Sequence, residues 1–297
     1  MTHNRTWGVL VASAVTMMVA VPAVAQMPEQ FLDVYIAKVR PEKRAEFDAI
    51  NKKMADANRR NKGDTWIAME TVYGESNTVS FISTRRSYAD AEKGEDAFVA
   101  ALNKAYGQAG AEKLEQDFNS TLVSSRVEFR RRRWDLSANV PADPASLLKL
   151  VGQSRWLRTT VVHVRPGHVL DMEAHLKELK AALEKTNPPQ VTLVSQAVAG
   201  QSGTVFYVTA PEGSLGGFGS RTPTPQLLGE EGYQRFLKML AESVEGTETV
   251  INHFLPELSN PSAEVTAAAP DFWTPKPKMA PKPKEGEAAK PQPKKEE

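Results

Sequence analysis

Val39-Arg40-Pro41 ends one β-like run and opens one helix-like run, and Val164-Arg165-Pro166 does the same 125 residues further along, from 39 to 164. A second landmark repeats with it. Gly74-Glu75-Ser76-Asn77-Thr78 and Gly200-Gln201-Ser202-Gly203-Thr204 each separate two β-like runs, 126 residues apart, from 74 to 200. Spacing kept to within one residue across a helix and a strand marks a tandem duplication of one α+β unit, and such a repeat decides the fold before any single element does.

Outward from the first motif, Leu32 to Val39 reads as a strand, with Val34, Ile36 and Lys38 on one face and Tyr35, Ala37 and Val39 on the other, because side chains alternate. Apolar residues on both faces require cover on both. Pro41 suits the first turn of a helix, where its missing N–H costs nothing, and Glu42 suits the positive end of the dipole. Phe47, Ile50, Met54 and Ala57 form one apolar stripe, and Gly63 marks the stop. Trp66 to Tyr73 and Thr78 to Thr84 make a hairpin around Gly74. Tyr88 to Asn119 is helical but interrupted by Gly94, Gly107 and Gly110, and Val123 to Phe129 is the last strand. The order β-α-β-β-α-β is the ferredoxin-like pattern, one sheet with its helices on one face.

The second copy follows the same order. Thr159 to Val164 is its first strand, and Val169, Met172, Leu176, Leu179 and Leu183 stripe a helix that ends at Pro188 and Pro189. Val191 to Val198 and Thr204 to Thr209 form the hairpin, Tyr233 to Leu240 the last helix and Thr247 to Leu255 the last strand. An insertion carrying Gly213, Gly216, Gly217 and Gly219 reads as a mobile lid or as a tolerated surface loop. Its glycines match neither a phosphate-cradling nor a dinucleotide pattern. The expected boundaries are a first repeat at 31–136, a linker at 137–156, a second repeat at 157–259 and a Pro/Lys-rich tail at 260–297. That tail is expected to be disordered and extended, available to an envelope partner, with Phe272 and Trp273 docking on the body.

At the N-terminus, Arg5, the apolar stretch Trp7 to Val21 and the small-residue pattern Ala23-Val24-Ala25 read as a secretory signal at 1–25, cleaved before Gln26. The expectation is a periplasmic or secreted protein with no membrane segment after cleavage. Lys and Arg number 37 against 36 Asp and Glu, a formal charge of +1, so no general attraction to nucleic acid follows. With Cys 0, disulfides and thiolate metal sites are excluded.

Two such units in one chain resemble the dimeric α/β-barrel superfamily, which includes antibiotic-biosynthesis-monooxygenase-like and NIPSNAP-like proteins. The resemblance spans 31–259 and rests on the element order and the duplicated landmarks. It implies an α+β fold of two tandem ferredoxin-like repeats packing sheet to sheet as an intrachain pseudo-dimeric barrel, each spare sheet face covering the other. It also implies an enzymatic alternative, a cofactor-free or haem-dependent monooxygenase.

If the barrel closes, Lys38 and His163 are equivalent positions facing its interior, with Glu70, Gln196 and Asn252 on other strands as partners. His163 is the most versatile of them. The alternative is that Lys38 and His163 reach the strand ends and solvent. For a haem, the candidate ligands are His163, His175 and His253. His168, Asp171 and His175 share one side of a helix, but two turns separate the histidines, so no metal is expected. Arg130 to Arg133 read either as an anion site, since guanidinium groups bind oxyanions bidentately, or as a frayed, solvated strand end. No motif supplies a nucleophile or identifies a cofactor, so binding a small molecule in the barrel, without chemistry, is the leading expectation.

Overall fold

The computed structural model describes residues 27–274; the expected leader and the segment from 275 onward lie outside the described residues. The first half consists of β1 (Phe31–Val39), α1 (Arg44–Asn61), β2 (Ile67–Tyr73), β3 (Thr78–Arg85), α2 (Tyr88–Tyr106), α3 (Gln108–Ser120) and β4 (Leu122–Arg132). After α4 (Pro144–Gln153), the second half repeats the order with β5 (Trp156–Val164), α5 (Val169–Leu183), β6 (Leu193–Ala199), β7 (Thr204–Glu212), α6 (Thr224–Ser243) and β8 (Val244–Phe254). Two short helices follow, α7 (Ala263–Ala268) and α8 (Pro270–Trp273).

The strands close into one barrel in the order β1-β3-β2-β8-β5-β7-β6-β4, each antiparallel to its neighbours. Each half supplies four adjacent strands, so the halves face each other across the interior and also join edge to edge, β2 to β8 and β4 to β6. This is the expected pseudo-dimeric α/β barrel.

Alternation along the strands divides the apolar residues between two places. The outer parity of β1, with Ala37 and Val39, packs under Phe47 and Ala55 of α1, and Val162 and Val164 of β5 pack under Met172 and Leu176 of α5. The inner parity, including Leu32, Val34 and Ile36, faces the barrel. Local signals set the helix ends: Pro41 opens a 3-10 turn ahead of α1, and Ser87 caps α2 by accepting from the Asp90 amide at 3.2 Å. The long helical region breaks once, at Gly107, whose φ of 71° is left-handed backbone that a glycine adopts without strain.

Three expectations are corrected. β4 does not end at Phe129 but runs through Arg132, because alternation sends Arg130 and Arg132 inward while Arg131 turns out to Glu29. The arginine run is therefore sheet, not a frayed end. Leu147 and Leu148 of the linker belong to a helix, α4, capped by Asp143, which accepts from the Ser146 amide at 2.9 Å. Residues 260–274 are not an extended tail: α7 and α8 dock, with Trp273 only 1% exposed and its Nε1 donating to the Gly152 carbonyl at 2.8 Å. The glycine-bearing insertion is tied down at its far end, where Arg221 bridges to Glu212 at 3.0 Å and donates to the Val191 carbonyl at 2.9 Å. Among the described residues, no helix is long and apolar enough to cross a membrane.

Candidate functional site

The inner faces of the strands enclose a cavity of about 380 Å³. Its two ends differ. Where β4 and β8 end and β5 begins, α4 and the α7–α8 pair cover the barrel: Val151 and Ser154 line the cavity, and Trp273 packs behind Phe254 with ring centroids 5.9 Å apart. At the opposite end, where β1 finishes, the lining residues Glu75, Arg126 and Glu248 are exposed, so the cavity opens there. At the covered end Thr84, paired with Leu32, also lines the cavity and is exposed.

Lys38 stands at that rim, its Nζ 2.7 Å from Glu75 and 2.7 Å from the Ser76 carbonyl. His163 has the same inward parity but ends β5 beside Gly246, outside the cavity lining. Asn252 is inside and accepts from the Thr71 hydroxyl at 2.9 Å. Glu70 and Gln196 do not reach the interior. Ile67, Met69 and Thr71 take the inner parity of β2, leaving Glu70 outside to pair with Arg44 at 2.8 Å. Ser195 does the same on β6, and Gln196 accepts from Arg133 outside at 2.8 Å. Of the five expected site residues, the structure thus brings Lys38 and Asn252 onto the cavity wall and leaves the other three off it.

The interior charge lies instead on β4, where Arg126, Glu128, Arg130 and Arg132 share the inner face. Glu128 is 0% exposed and receives Arg126 Nε at 2.8 Å, Arg130 Nη2 at 2.6 Å, the Tyr207 hydroxyl at 2.6 Å and Gln201 Nε2 at 2.7 Å. Burial alone would raise its pKa; the charge of Arg130 and the Tyr207 hydrogen bond outweigh burial and hold it below the ordinary carboxylate value. Arg130 also stacks on the Tyr207 ring at 3.6 Å, and the Tyr207 hydroxyl is pushed up to about 12, mainly by burial.

Arg132 has no such partner. Its Nε is buried without a hydrogen bond, and among the described residues no ion pair or side-chain hydrogen bond reaches its guanidinium. The Trp134 ring, 5.6 Å from its Cζ, offers an aromatic face but no counterion. The side chain is half-buried and lines the chamber. Burial, with the like charge of Arg130 beside it, pulls its pKa down to about 10. A signal for this cluster was present in the sequence: Arg126, Glu128, Arg130 and Arg132 recur with period two, one charged face of a strand.

The asymmetry between halves is sharp on this strand. β4 and β8 are equivalent, and the seam pairs Arg132 with Ser195 on one side and Phe254 with Met69 on the other. Arg126, Glu128, Arg130 and Arg132 thus have Glu248, Val250, Asn252 and Phe254 as counterparts. One wall of the chamber carries three guanidinium groups and the facing wall none.

A second cavity, about 540 Å³, lies outside the barrel between the first half's sheet and its helices. Tyr35, Phe81, Phe98 and Phe118 line it together with Asp33 and Glu95. Arg85 clamps Asp64 with two contacts of 2.6 Å and reaches Asp33 at 3.4 Å. Burial nonetheless holds Asp33 above its ordinary value, and burial with the charges of Asp33 and Asp64 does the same for Glu95.

No family model and no curated protein matches the sequence. Solved structures similar to this chain include an anthrone oxidase-like protein (14% identity, TM-score 0.47, covering 78% of this chain and 93% of that one). A heme-binding protein from Thermus thermophilus (13%, 0.42, 78% and 93%) and chlorite dismutase from Candidatus Nitrospira defluvii (9%, 0.41, 77% and 92%) are also similar. At these identities and scores they carry no argument about chemistry. The fold and site define the class from the chain's own geometry: a closed, intrachain α/β barrel of two ferredoxin-like halves around an interior cavity. Among the described residues, neither cavity offers an imidazole to a haem iron. None of His163, His168, His175 and His253 lines either cavity: His253 points outward against Trp156 at 4.5 Å, His175 is stacked on Phe236 at 4.6 Å, and His168 pairs with Asp171 at 2.8 Å.

Proposed function

We propose that the chain is a small-molecule-binding protein whose site is the barrel interior. The observation that carries this reading is the barrel chamber of about 380 Å³, within the size range of small-molecule pockets, with three arginines on the wall of β4 and none on the facing wall of β8. The test is mass spectrometry of what the folded, purified protein retains, compared with a Val250→Trp variant whose new ring fills the chamber. A molecule retained by the wild type and absent from the equally folded variant supports the reading; one retained equally by both places the site elsewhere. The leader-like stretch at 1–25 supports a periplasmic or secreted location for this binding, and the N-terminal sequence of the mature protein checks it.

A second reading, a cofactor-free monooxygenase-like enzyme, draws on the aromatic cleft of the first half. Its two carboxylates, Asp33 and Glu95, are both raised above the ordinary value by burial and line the cleft as candidate proton-transfer groups. Oxygen uptake with a panel of phenols that disappears in Glu95→Gln would move the function to the cleft.

A further inference from the structure

We propose that the plugged end of the chamber binds the monoanionic headgroup of a small amphipathic acid, with Arg132 as its principal partner; this rests on the barrel interior being the ligand site. The first argument is charge. Glu128 is fully enclosed, and the cationic groups beside it on the chamber wall are Arg130, whose side chain is 11% exposed, and Arg132, half-buried with its Nε fully buried. Arg126, with its side chain 60% exposed, is screened by water at the mouth. One carboxylate therefore stands beside two guanidinium groups held away from the open rim, and of these two its hydrogen bonds reach only Arg130. A half-buried charge without a counterion destabilises the folded state. A single incoming negative charge removes that cost, whereas a dianion overshoots it.

The second argument is an internal precedent. Glu128 shows how this barrel holds a carboxylate: Arg130 donates Nε at 2.8 Å to one oxygen, Tyr207 donates to the same oxygen, and Gln201 donates to the other. Arg132 stands two residues further along the same strand face, with its N–H groups free and the Ser195 side chain in the paired position across the seam. The third argument is the surroundings. Around Arg132 the wall is Leu32, Leu193, Leu157 and Phe254, which suits an apolar body attached to the headgroup and leaves no second carboxylate to compete for it.

Carboxylate and sulfate share this chemistry, and the test separates them. The full chain is titrated calorimetrically with octanoate, octyl sulfate and octanol, and Arg132→Gln and Val250→Trp are titrated alongside. The expected result is that at least one of the two anions binds tighter than octanol by about tenfold or more, the worth of one charge-assisted hydrogen bond. Arg132→Gln is expected to erase that preference, keep the affinity for octanol, and leave the melting temperature unchanged or higher, since it removes an uncompensated charge. Octanol binding as well as both anions overturns the headgroup assignment and leaves the barrel reading intact. A lower melting temperature with an unchanged preference makes Arg132 structural and overturns the assignment too. Binding of all three probes that persists in Val250→Trp, or no binding at all, defeats the barrel reading itself. The headgroup comparison on the wild type decides the question even if Arg132→Gln does not fold.

Discussion

Glu128 is the residue on which the interior depends. Truncating it strands Arg130 beside Arg132 with no carboxylate between them, so Glu128→Ala should cost about 3–5 kcal/mol in denaturant unfolding, as for one half of a buried ion pair. Tyr207→Phe removes only a hydrogen bond to a charged acceptor and should cost about 1.5–3 kcal/mol. Acid sensitivity follows from the same group. Its folded pKa lies below the ordinary 4.5, so Glu128 adds stability that is complete above that value and lost as pH falls through the folded pKa. His175 acts earlier in the same direction. Burial lowers its pKa from 6.5, so the unfolded chain takes up its proton first and stability begins to fall once pH drops below that value. His175→Phe, which keeps an aromatic ring against Phe236, should flatten the pH dependence of unfolding just below 6.5 and leave the steeper acid limb in place. At this scale the sequence was only partly legible: Lys38 and Asn252 reach the cavity, whereas Glu70 and Gln196 were placed on the wrong face, because a strand shifted by one residue exchanges inside for outside.

The elements that matter most for the site are the ones that plug it. α4 crosses α7 where Gly152 sits, and a methyl group added there would lie 2.5 Å from the Val265 carbonyl oxygen and 2.6 Å from Ala268 Cβ. Gly152→Ala should therefore destabilise by about 1–3 kcal/mol through overpacking, despite a gain of about 1 kcal/mol in helix propensity. Trp273→Ala removes a fully buried indole and should cost about 3–5 kcal/mol, with faster hydrogen exchange confined first to α7 and α8. The regular elements were legible: β1 and β5 keep the spacing of the repeated Val-Arg-Pro motif, and the stripe from Val169 to Leu183 is α5 from end to end. The plug was hidden for a physical reason. Proline-rich composition predicts extended chain, and only the pair Phe272-Trp273 signalled the buried surface that offsets the ordering of these short helices. β4 was cut short for a related reason, since four consecutive arginines look solvated until the alternation of their side chains is applied.

For the whole molecule, closure is the governing fact. Separating the halves exposes the inner face of each sheet and also the unpaired backbones of β2 and β4 on one side and of β6 and β8 on the other. The fragment 27–136 should therefore self-associate, and sedimentation velocity showing a monomer that unfolds cooperatively would contradict that expectation. The duplication made this architecture readable in advance, but a repeat specifies shared backbone, not shared chemistry. The difference between the halves lies on β4 and β8, where Arg132 answers to Phe254.

The size of the chamber governs how it exchanges its contents. The interior offers about 380 Å³, which leaves little room for two small molecules at once. An occupant must depart before its replacement arrives. In a stopped-flow chase, the rate at which a bound molecule is displaced should be the same at every concentration of competitor, set by residence time alone.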